Sequence, residues 1–470
     1  MEATRNNSYL ATAPIGKLIL KFSVPCIMSL SIAALYNLVD QIFIGWGIGY
    51  LGNGATNVIY PITVITLALA VLIGDGCAAY LSLCQGKGDM AGAHKSVGNG
   101  VVLSVSAGVI LMVLFMLLKE QILWGFGATE KNIGYAYEYF RYIVLGIPFY
   151  MFGNAMNGII RADGSPKFAM ASTLVGCIMN IILDPVAIFV LGWGMAGAAL
   201  ATISGQIVTA LLAAYYLFHT KSFTLNRTSF RLDAGILKKV LPLGGTSFLT
   251  QISIVIIMAV MNNVLVTYGA MSKYGEDIPL TVVGIVMKVF AIVVSVAVGI
   301  TIGAQPIIGY NYGAGNKSRV KDVFRKVMMA EFCVGVIATI CFECFPLQII
   351  GIFGSGDALY QEFACLSFRI FLGTVLLCVM QKSISIFLQA LGKSVLSTML
   401  SLLREIVLSV PLILFLPVLF GVVGPLFAGP VADVVSFVAA VFMVRYTMKQ
   451  LSAEESGKRT IIFPEGEKKI

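Results

Sequence analysis

Nine polar residues stand at helical spacing inside long apolar stretches of this 470-residue sequence. They fall into groups whose members lie one to four residues apart and share one helix face. The residues are Tyr36, Asn37, Asp40, Asn154, Asn157, Asn180, Asp184, Thr202 and Gln206. Carboxylates among amides and hydroxyls form the hard-oxygen type of site that suits Na⁺. Two neighbouring carboxylates can equally share one proton, because each charge favours protonation of the other.

The positions of these groups predict that they lie at similar depth. Asp40 lies about four residues before the end of its stretch, and Asp184 lies in the second half of its own. Thr202 comes early in a stretch that runs the opposite way, which brings it level with Asp184. We therefore expect one cation site for Na⁺ or H⁺ around Asp40 and Asp184. The competing interpretation is that the amides and hydroxyls only bridge helices, as Asn and Thr commonly do in membranes.

Other residues in the same stretches are candidates for a ligand cavity and for motion. The predicted cavity residues are Tyr36, Asn37, Met151, Asn154, Gln206 and Lys288, which offer aromatic, sulfur and polar contacts. Pro25 lies about four turns before Asp40 and is the predicted hinge, since proline removes a helix hydrogen bond. Four charges in the stretches have a functional and a structural interpretation. Lys288 and Arg404 either face the cavity or snorkel and pair with Glu405 or Glu331, and Asp75 and Asp433 are further candidates for a functional role.

The composition shows which elements must hold these groups. Hydrophobic residues make up 58% of the chain, charged residues only 12%, and the mean hydropathy is +0.91. An average soluble domain is about 45–50% apolar and about 25% charged. A soluble enzyme and a disordered chain are both excluded, because so few charges cannot cover a water-exposed surface. The chain is predicted to be an all-α polytopic membrane protein.

Twelve apolar stretches are long enough to cross a bilayer, which takes about 20 residues each. They lie near 17–44, 57–84, 96–118, 133–160, 167–190, 195–218, 236–267, 280–310, 322–346, 361–390, 394–419 and 423–447. We predict four segments: an N-terminal six-helix lobe 1–218, a cytoplasmic linker 219–235, a C-terminal six-helix lobe 236–448 and a cytoplasmic tail 449–470.

The basic residues predict the orientation of these spans. Alternate connections starting from the N-terminus hold 24 Lys and Arg residues, and the opposite connections hold three. Cytoplasmic loops carry such an excess, so both termini are predicted to be cytoplasmic. The formal charge of +9 is therefore a feature of membrane topology, and no nucleic-acid partner is expected.

Four short motifs recur at an offset of 227 or 228 residues. The matched segments are Gln85–Asp89 with Tyr312–Asn316, Phe140–Arg141 with Phe368–Arg369, Arg161–Gly164 with Gln389–Gly392 and Gly194–Gly197 with Gly421–Gly424. The halves are therefore parallel six-helix repeats, a plan known from transporters that bind their substrates between two lobes. The acidic residues break this repeat, since Asp40 corresponds to Ile257 and Asp184 to Leu412. Such asymmetry favours a function over maintenance of the fold.

Several motifs of soluble enzymes are excluded by their context. Gly47–Gly52 matches a dinucleotide-binding pattern but follows a membrane span and lacks a βαβ unit. Gly392–Ser394 resembles the end of a phosphate-binding loop without the glycine that must precede it. The only histidines, His94 and His219, lie at the predicted cytoplasmic face. We expect no enzyme activity, no ATP and no cofactor other than a coupling ion.

The chain resembles the multidrug and toxic compound extrusion (MATE) family through about residue 448. The resemblance rests on Pro25 with Asp40, Gln85–Asp89, Arg161–Pro166, Asn180-Ile-Ile-Leu-Asp184-Pro185 and Gly194–Ala199. The pairing of a first-span Asp with Asn-x-x-x-Asp-Pro is similar to the bacterial DinF/MepA-like branch. That branch implies a cation site at Asp40, Asn180, Asp184 and Thr202, with Asn157 nearby, in one of two V-arranged lobes. The acidic residue that another branch carries in span 7 is missing here.

The resemblance implies an antiporter in a bacterial plasma membrane. It would work as a monomer by alternating access and export amphipathic, often cationic, organic compounds against inward H⁺ or Na⁺. The alternative is a flippase for a lipid-linked precursor, which would need a large basic cavity. The few basic residues in the spans, chiefly Lys288 and Arg404, disfavour it. The residues leave the choice between H⁺ and Na⁺ open.

Overall fold

The computed structural model describes residues 9–126, 128, 130–275, 277–352 and 358–455, and every regular element in them is a helix. The first half has six spans: Ile15–Gly47, Tyr50–Lys87, Met90–Leu117, Ile133–Ala162, Pro166–Val190 and Gly194–Leu217. The second half has Ala234–Ala270, Asp277–Gly313, Lys317–Cys344, Ala358–Phe371 with Val375–Ala390, Ser394–Leu402 with Leu403–Leu408 and Ser409–Phe420, and Gly424–Glu455. They are called spans 1 to 12 below.

Span 10 is interrupted and spans 11 and 12 are joined in a way that hydropathy alone does not show. Span 10 bends by 43° at the break between Phe371 and Val375. The apolar helical stretch Ser394–Glu455 is 62 residues long, which is about twice the length of one crossing. It contains two spans, because Gly421 leaves the helix at a φ of +59° and Ser409–Phe420 packs back against span 12. The predicted all-α architecture of twelve helices in two lobes is confirmed.

Three of the four recurring motifs are turns that need left-handed backbone. Gly88 ends span 2 at a φ of +77° and Asp89 caps span 3 by accepting a 2.9 Å hydrogen bond from Gly92 N. Gly315, in the matching motif, has a φ of +80° before span 9. Residues with a side chain rarely adopt this conformation, so both halves keep glycine there. Two of the other three matched motifs also hold such glycines at one position: Gly164 with Gly392 and Gly194 with Gly421.

Both described chain ends and five connections meet at one end of the bundle, which we call the basic end. Arg319, at the start of span 9, donates 3.1 Å from Nε to the Leu10 carbonyl, and Lys321 forms a 2.7 Å ion pair with Glu455. Lys95 joins Asp233 of the linker at 3.0 Å, and this hydrogen bond lowers the pKa of the Asp233 carboxyl. These contacts bring both described chain ends and the linker together with the basic residues at one end of the bundle.

The predicted boundary of the tail differs from the structure. Residues 449–455 continue span 12 as helix, because Glu454 and Glu455 pair with Lys317 and Lys321 at the start of span 9. The rest of the tail, 456–470, lies outside the described residues, together with the first eight residues. The linker runs between Leu217 and Ala234 and holds one short helical turn, Arg227–Phe230.

The two lobes approach each other through glycines near the basic end. A Cβ added at Gly244 of span 7 would lie 1.7 Å from the Leu72 carbonyl oxygen of span 2. A Cβ at Gly313 of span 8 would lie 2.3 Å from the carbonyl oxygen of Leu83. Backbones that approach this closely leave no room for a side chain, so the lobes pack directly against each other at these glycines.

Candidate cation and ligand site

A cavity of about 510 Å³ lies between the two lobes. Spans 1, 2, 4, 5 and 6 of the first lobe and spans 7, 8, 10 and 11 of the second lobe line it. Apolar side chains such as Leu67 and Val71 share the wall with aromatic and amide groups such as Tyr150 and Gln251. A wall of this kind suits an amphipathic organic ligand.

The structure places four of the six predicted cavity residues on this wall: Tyr36, Asn37, Asn154 and Gln206. The prediction that Met151 lines the cavity is wrong, because Met151 is fully buried in the core of the first lobe. The helix that begins at Ile147 turns Tyr150, Gly153 and Asn154 toward the cavity, and Met151 points away because each residue rotates by about 100°. Lys288 is also absent from the wall and is exposed on span 8, seven residues before the lining residue Ser295.

Two carboxylates, Asp40 on span 1 and Asp184 on span 5, meet behind the wall. Asp184 is fully buried and Asp40 is 9% exposed. The two carboxylates lie close enough to interact electrostatically, and each negative charge disfavours the other. One oxygen of Asp40 and both oxygens of Asp184 have no hydrogen-bond partner among the described residues. A buried carboxylate without donors is costly, so this pair calls for a proton or a cation.

Amide and hydroxyl groups separate this pair from the cavity. Asn180 donates from Nδ2 to Thr202 Oγ1 at 3.3 Å, and both residues line the cavity. The Asn180 carbonyl oxygen is buried without a partner among the described residues, so it remains available as a ligand. Tyr139, on span 4, contacts Thr202 and lies beside both carboxylates. Sequence spacing did not single out Tyr139, because it stands among other tyrosines in Ile133–Ile143.

Asn157 lies in a different polar cluster on the same wall. Its Nδ2 donates to Thr173 Oγ1 at 3.0 Å, and its carbonyl oxygen accepts a hydrogen bond from Arg161. Arg161 also forms a 3.7 Å ion pair with Asp75 of span 2. Asp75 in turn contacts Ser247 of span 7, so this cluster joins the two lobes. The structure therefore gives Asn157 and Asp75 neighbours other than the carboxylate pair.

The second lobe holds a buried network of four charged side chains. Glu405 forms ion pairs with Lys382 at 2.5 Å and with Arg404 at 2.8 Å, and Arg404 pairs with Asp433 at 2.8 Å. Lys382 and Glu405 reach the cavity wall, whereas Arg404 and Asp433 lie behind it. Of the two interpretations for Arg404 and Asp433, the ion pair is the one present. The network has no net charge, which limits the cost of burying it.

Pro25 lies inside span 1, which continues as helix from Ile15 to Gly47. The Ser29 hydroxyl donates to the Pro25 carbonyl at 2.9 Å. Two residues before the proline, Ser23 donates to the Ile300 carbonyl of span 8 at 2.8 Å. Span 1 therefore joins the carboxylate pair, the proline and the contact between lobes in one helix.

Twelve spans in two lobes around an amphipathic cavity define a membrane transporter with a two-lobe helical fold. A family model described as MatE matches residues 25–186 and 242–415, which is most of the chain. The chain belongs to this family, as its sequence motifs predict.

Relatives and solved structures extend the match to nearly full length. Multidrug export protein MepA of Staphylococcus aureus (strain MRSA252) is 24% identical over 451 residues, which cover 95% of this chain and 97% of the relative. MepA of Staphylococcus saprophyticus is 25% identical over 459 residues, with the same coverage. An outward-facing multidrug resistance MATE transporter matches with a TM-score of 0.86 and 24% identity, over 94% of this chain and 98% of that one. A MOP superfamily transporter from Pyrococcus furiosus gives a TM-score of 0.87 at the same identity and coverage.

Proposed function

We propose that this protein is a secondary active exporter of amphipathic, often cationic, organic compounds, driven by inward movement of H⁺ or Na⁺. The observation that carries the proposal is the buried pair of Asp40 and Asp184, of whose four carboxylate oxygens three have no hydrogen-bond partner among the described residues. Such a pair takes up a cation more readily than any neutral group in the same place. The related MepA proteins are named multidrug export proteins, which supports the direction and the class of substrate.

The coupling follows from the position of the pair behind the cavity wall. Binding of one cation removes the repulsion between Asp40 and Asp184 and engages the Asn180 side-chain carbonyl oxygen, which changes the packing of Asn180 against Thr202 on the cavity side. Span 1 then changes its packing on span 8 and bends at Pro25, because the proline removes a helix hydrogen bond there. One charge that moves inward through 100 mV releases about 2.3 kcal/mol, and the ion gradient adds to this.

We propose that the basic end faces the cytoplasm of a bacterial cell and that both termini lie there. The excess of basic residues on this side supports the orientation. The glycine contacts near this end then seal the cavity from the cytoplasm, and the opposite state opens by separating spans 2 and 7. We expect one chain to suffice, since both lobes contribute to a single cavity.

The charges of the cavity support an organic cation or zwitterion over a polyanionic lipid precursor. Two basic residues reach the wall, Arg161 and Lys382, and both pair with carboxylates, Asp75 and Glu405. A flippase for a diphosphate-linked lipid needs unpaired basic groups to bind its substrate. The described part of the wall does not present them.

Efflux of a fluorescent organic cation from cells that express Asp40→Asn tests this proposal. Asparagine keeps the size of the side chain and removes the charge, so we expect efflux to fall to the level of cells without the transporter. Asp322→Asn at the basic end is the matched control, because it removes a carboxylate outside the cavity. The proposal is wrong if Asp40→Asn, expressed at the wild-type level, exports the dye at the wild-type rate.

A further inference from the structure

A second cavity, of about 400 Å³, lies at the basic end between the starts of spans 1 and 5 and the end of span 6. Its basic lining residues are Lys21, Lys167, Lys221 and His219. The aromatic rings of Phe168, Tyr215 and Tyr216 complete the wall. This cavity belongs to neither the carboxylate pair nor the wall between the lobes.

The lysines of this cavity lie close enough to repel one another. Lys21 is within electrostatic range of both Lys167 and Lys221, and its ammonium lies 4.2 Å from the centre of the Tyr9 ring. Asp163, beside the cavity, accepts hydrogen bonds from Tyr216 Oη at 2.6 Å and from the backbone N of Lys221 at 2.8 Å. Its carboxylate therefore holds the linker in place. The concentration of like charge indicates an anionic ligand.

The start of span 5 adds neutral donors to the same cavity. The helix Pro166–Pro185 is 20 residues long, and its first backbone N–H is that of Lys167, because proline has none. Ser165 stands at the N-cap position but makes no capping hydrogen bond. Its hydroxyl is buried, with the residue 5% exposed; it lies beside the Tyr216 side chain and makes no hydrogen bond of ordinary geometry to the described residues. An unpaired hydroxyl at a helix start, surrounded by lysines, is the donor set that binds a phosphate group.

We propose that this cavity binds the phosphate of an anionic phospholipid headgroup. Lys21 lies six residues into span 1, which is about 9 Å along the helix, so the cavity is at the level where the spans leave the bilayer. Exposed aromatic residues, Tyr215 and Phe218, flank it at the end of span 6, as is typical of a membrane interface. Basic pockets between spans on the cytoplasmic side recognise lipid phosphates in this way.

Native mass spectrometry of the full chain in neutral detergent tests this site, with phosphatidylglycerol, phosphatidylcholine of the same acyl chains, and inorganic phosphate added separately. We expect wild type to bind phosphatidylglycerol about tenfold more tightly than phosphatidylcholine, because both lipids carry the phosphate but phosphatidylcholine adds a cationic choline that the lysines repel. The variant Lys167→Gln/Lys221→Gln is expected to lose about tenfold of this affinity, and its linker keeps the backbone bond to Asp163. Lys87→Gln, an exposed lysine of the basic end outside the cavity, is the control.

Equal binding of phosphatidylglycerol by wild type and the double variant would overturn the proposal, as would equal affinity for the two lipids. Displacement of the lipid by millimolar inorganic phosphate would also overturn it, because the site would then be one for free phosphate. Ser165→Ala provides a second variant if the double substitution lowers the melting temperature. It removes only the unpaired hydroxyl, and we expect it to weaken phosphatidylglycerol binding about fivefold.

Discussion

The contact of Gly244 with the backbone of Leu72 makes the closure of the basic end sensitive to a single methyl group. A Cβ at Gly244 would lie 1.7 Å from the Leu72 carbonyl oxygen, whereas ordinary contacts begin at 3.4 Å. The obstacle is backbone, which cannot rotate away as a side chain does. Gly244→Ala therefore requires spans 2 and 7 to separate by more than 1 Å at this level. The neighbouring Gly245 has no atom within 4 Å of its added Cβ, so Gly245→Ala is a matched control.

The size of the effect follows from the cost of overpacking. Extra methyl groups in tightly packed contacts cost about 1–3 kcal/mol. Separation of the lobes at the basic end relieves this cost. The free energy of the state open at that end therefore falls by the same amount relative to the closed state. Since 1.4 kcal/mol is a factor of ten, its population relative to the closed state should rise about 5- to 150-fold.

Labelling of a single cysteine in the cavity measures this shift. Ser29→Cys lies on the cavity wall and is introduced after replacement of the nine native cysteines. A membrane-impermeant maleimide applied to inside-out vesicles should then label Gly244→Ala at least about fivefold faster than Gly245→Ala. Equal labelling rates in the two variants would refute the role of this contact in closing the basic end.

Three further changes test other parts of the structure. Asp184→Asn should abolish ion-driven transport in vesicles, because one carboxylate cannot share a proton with an amide. The protein should still elute as a monodisperse peak, and retained coupling would contradict the argument. Pro25→Ala should slow transport and leave substrate affinity unchanged, since the hinge is lost and the wall is intact; full transport rates would contradict the hinge. Arg404→Met should destabilise the protein by about 3–5 kcal/mol in thermal unfolding, because Asp433 and Glu405 keep buried charges without that partner. Lys273→Met breaks an exposed ion pair and should leave the melting temperature unchanged; an equal loss in both variants would contradict the argument.

The spans and their repeat follow from the sequence because both depend on local properties. Apolar length sets the number of crossings, and the left-handed glycines Gly88 and Gly315 mark matching turns in the two halves. The carboxylate pair was predictable for a similar reason. Asp40 and Asp184 are rare charges in apolar stretches, so each one indicated a site before any contact between them was known.

The rest of the cavity depends on helix rotation and on pairs that are distant in the chain. Met151 follows a lining residue directly, and only the orientation of its helix in the bundle turns it into the core. Lys382 pairs with Glu405, 23 residues later in the chain, and Arg404 pairs with Asp433, 29 residues later. No rule of sequence spacing predicts ion pairs over such separations. Tyr139 was missed because nothing in the sequence separates it from its neighbouring aromatic residues.

Flux measurements in reconstituted vesicles test the central claim, ion-driven export through the Asp40–Asp184 pair, most directly. Purified protein is placed in sealed vesicles with a fluorescent organic cation, and a pH gradient or a Na⁺ gradient is imposed separately at zero membrane potential. The account predicts that one of the two gradients drives the compound uphill in wild type and that neither does so in Asp40→Asn. Uphill movement in Asp40→Asn, or downhill equilibration alone in wild type under both gradients, would contradict it.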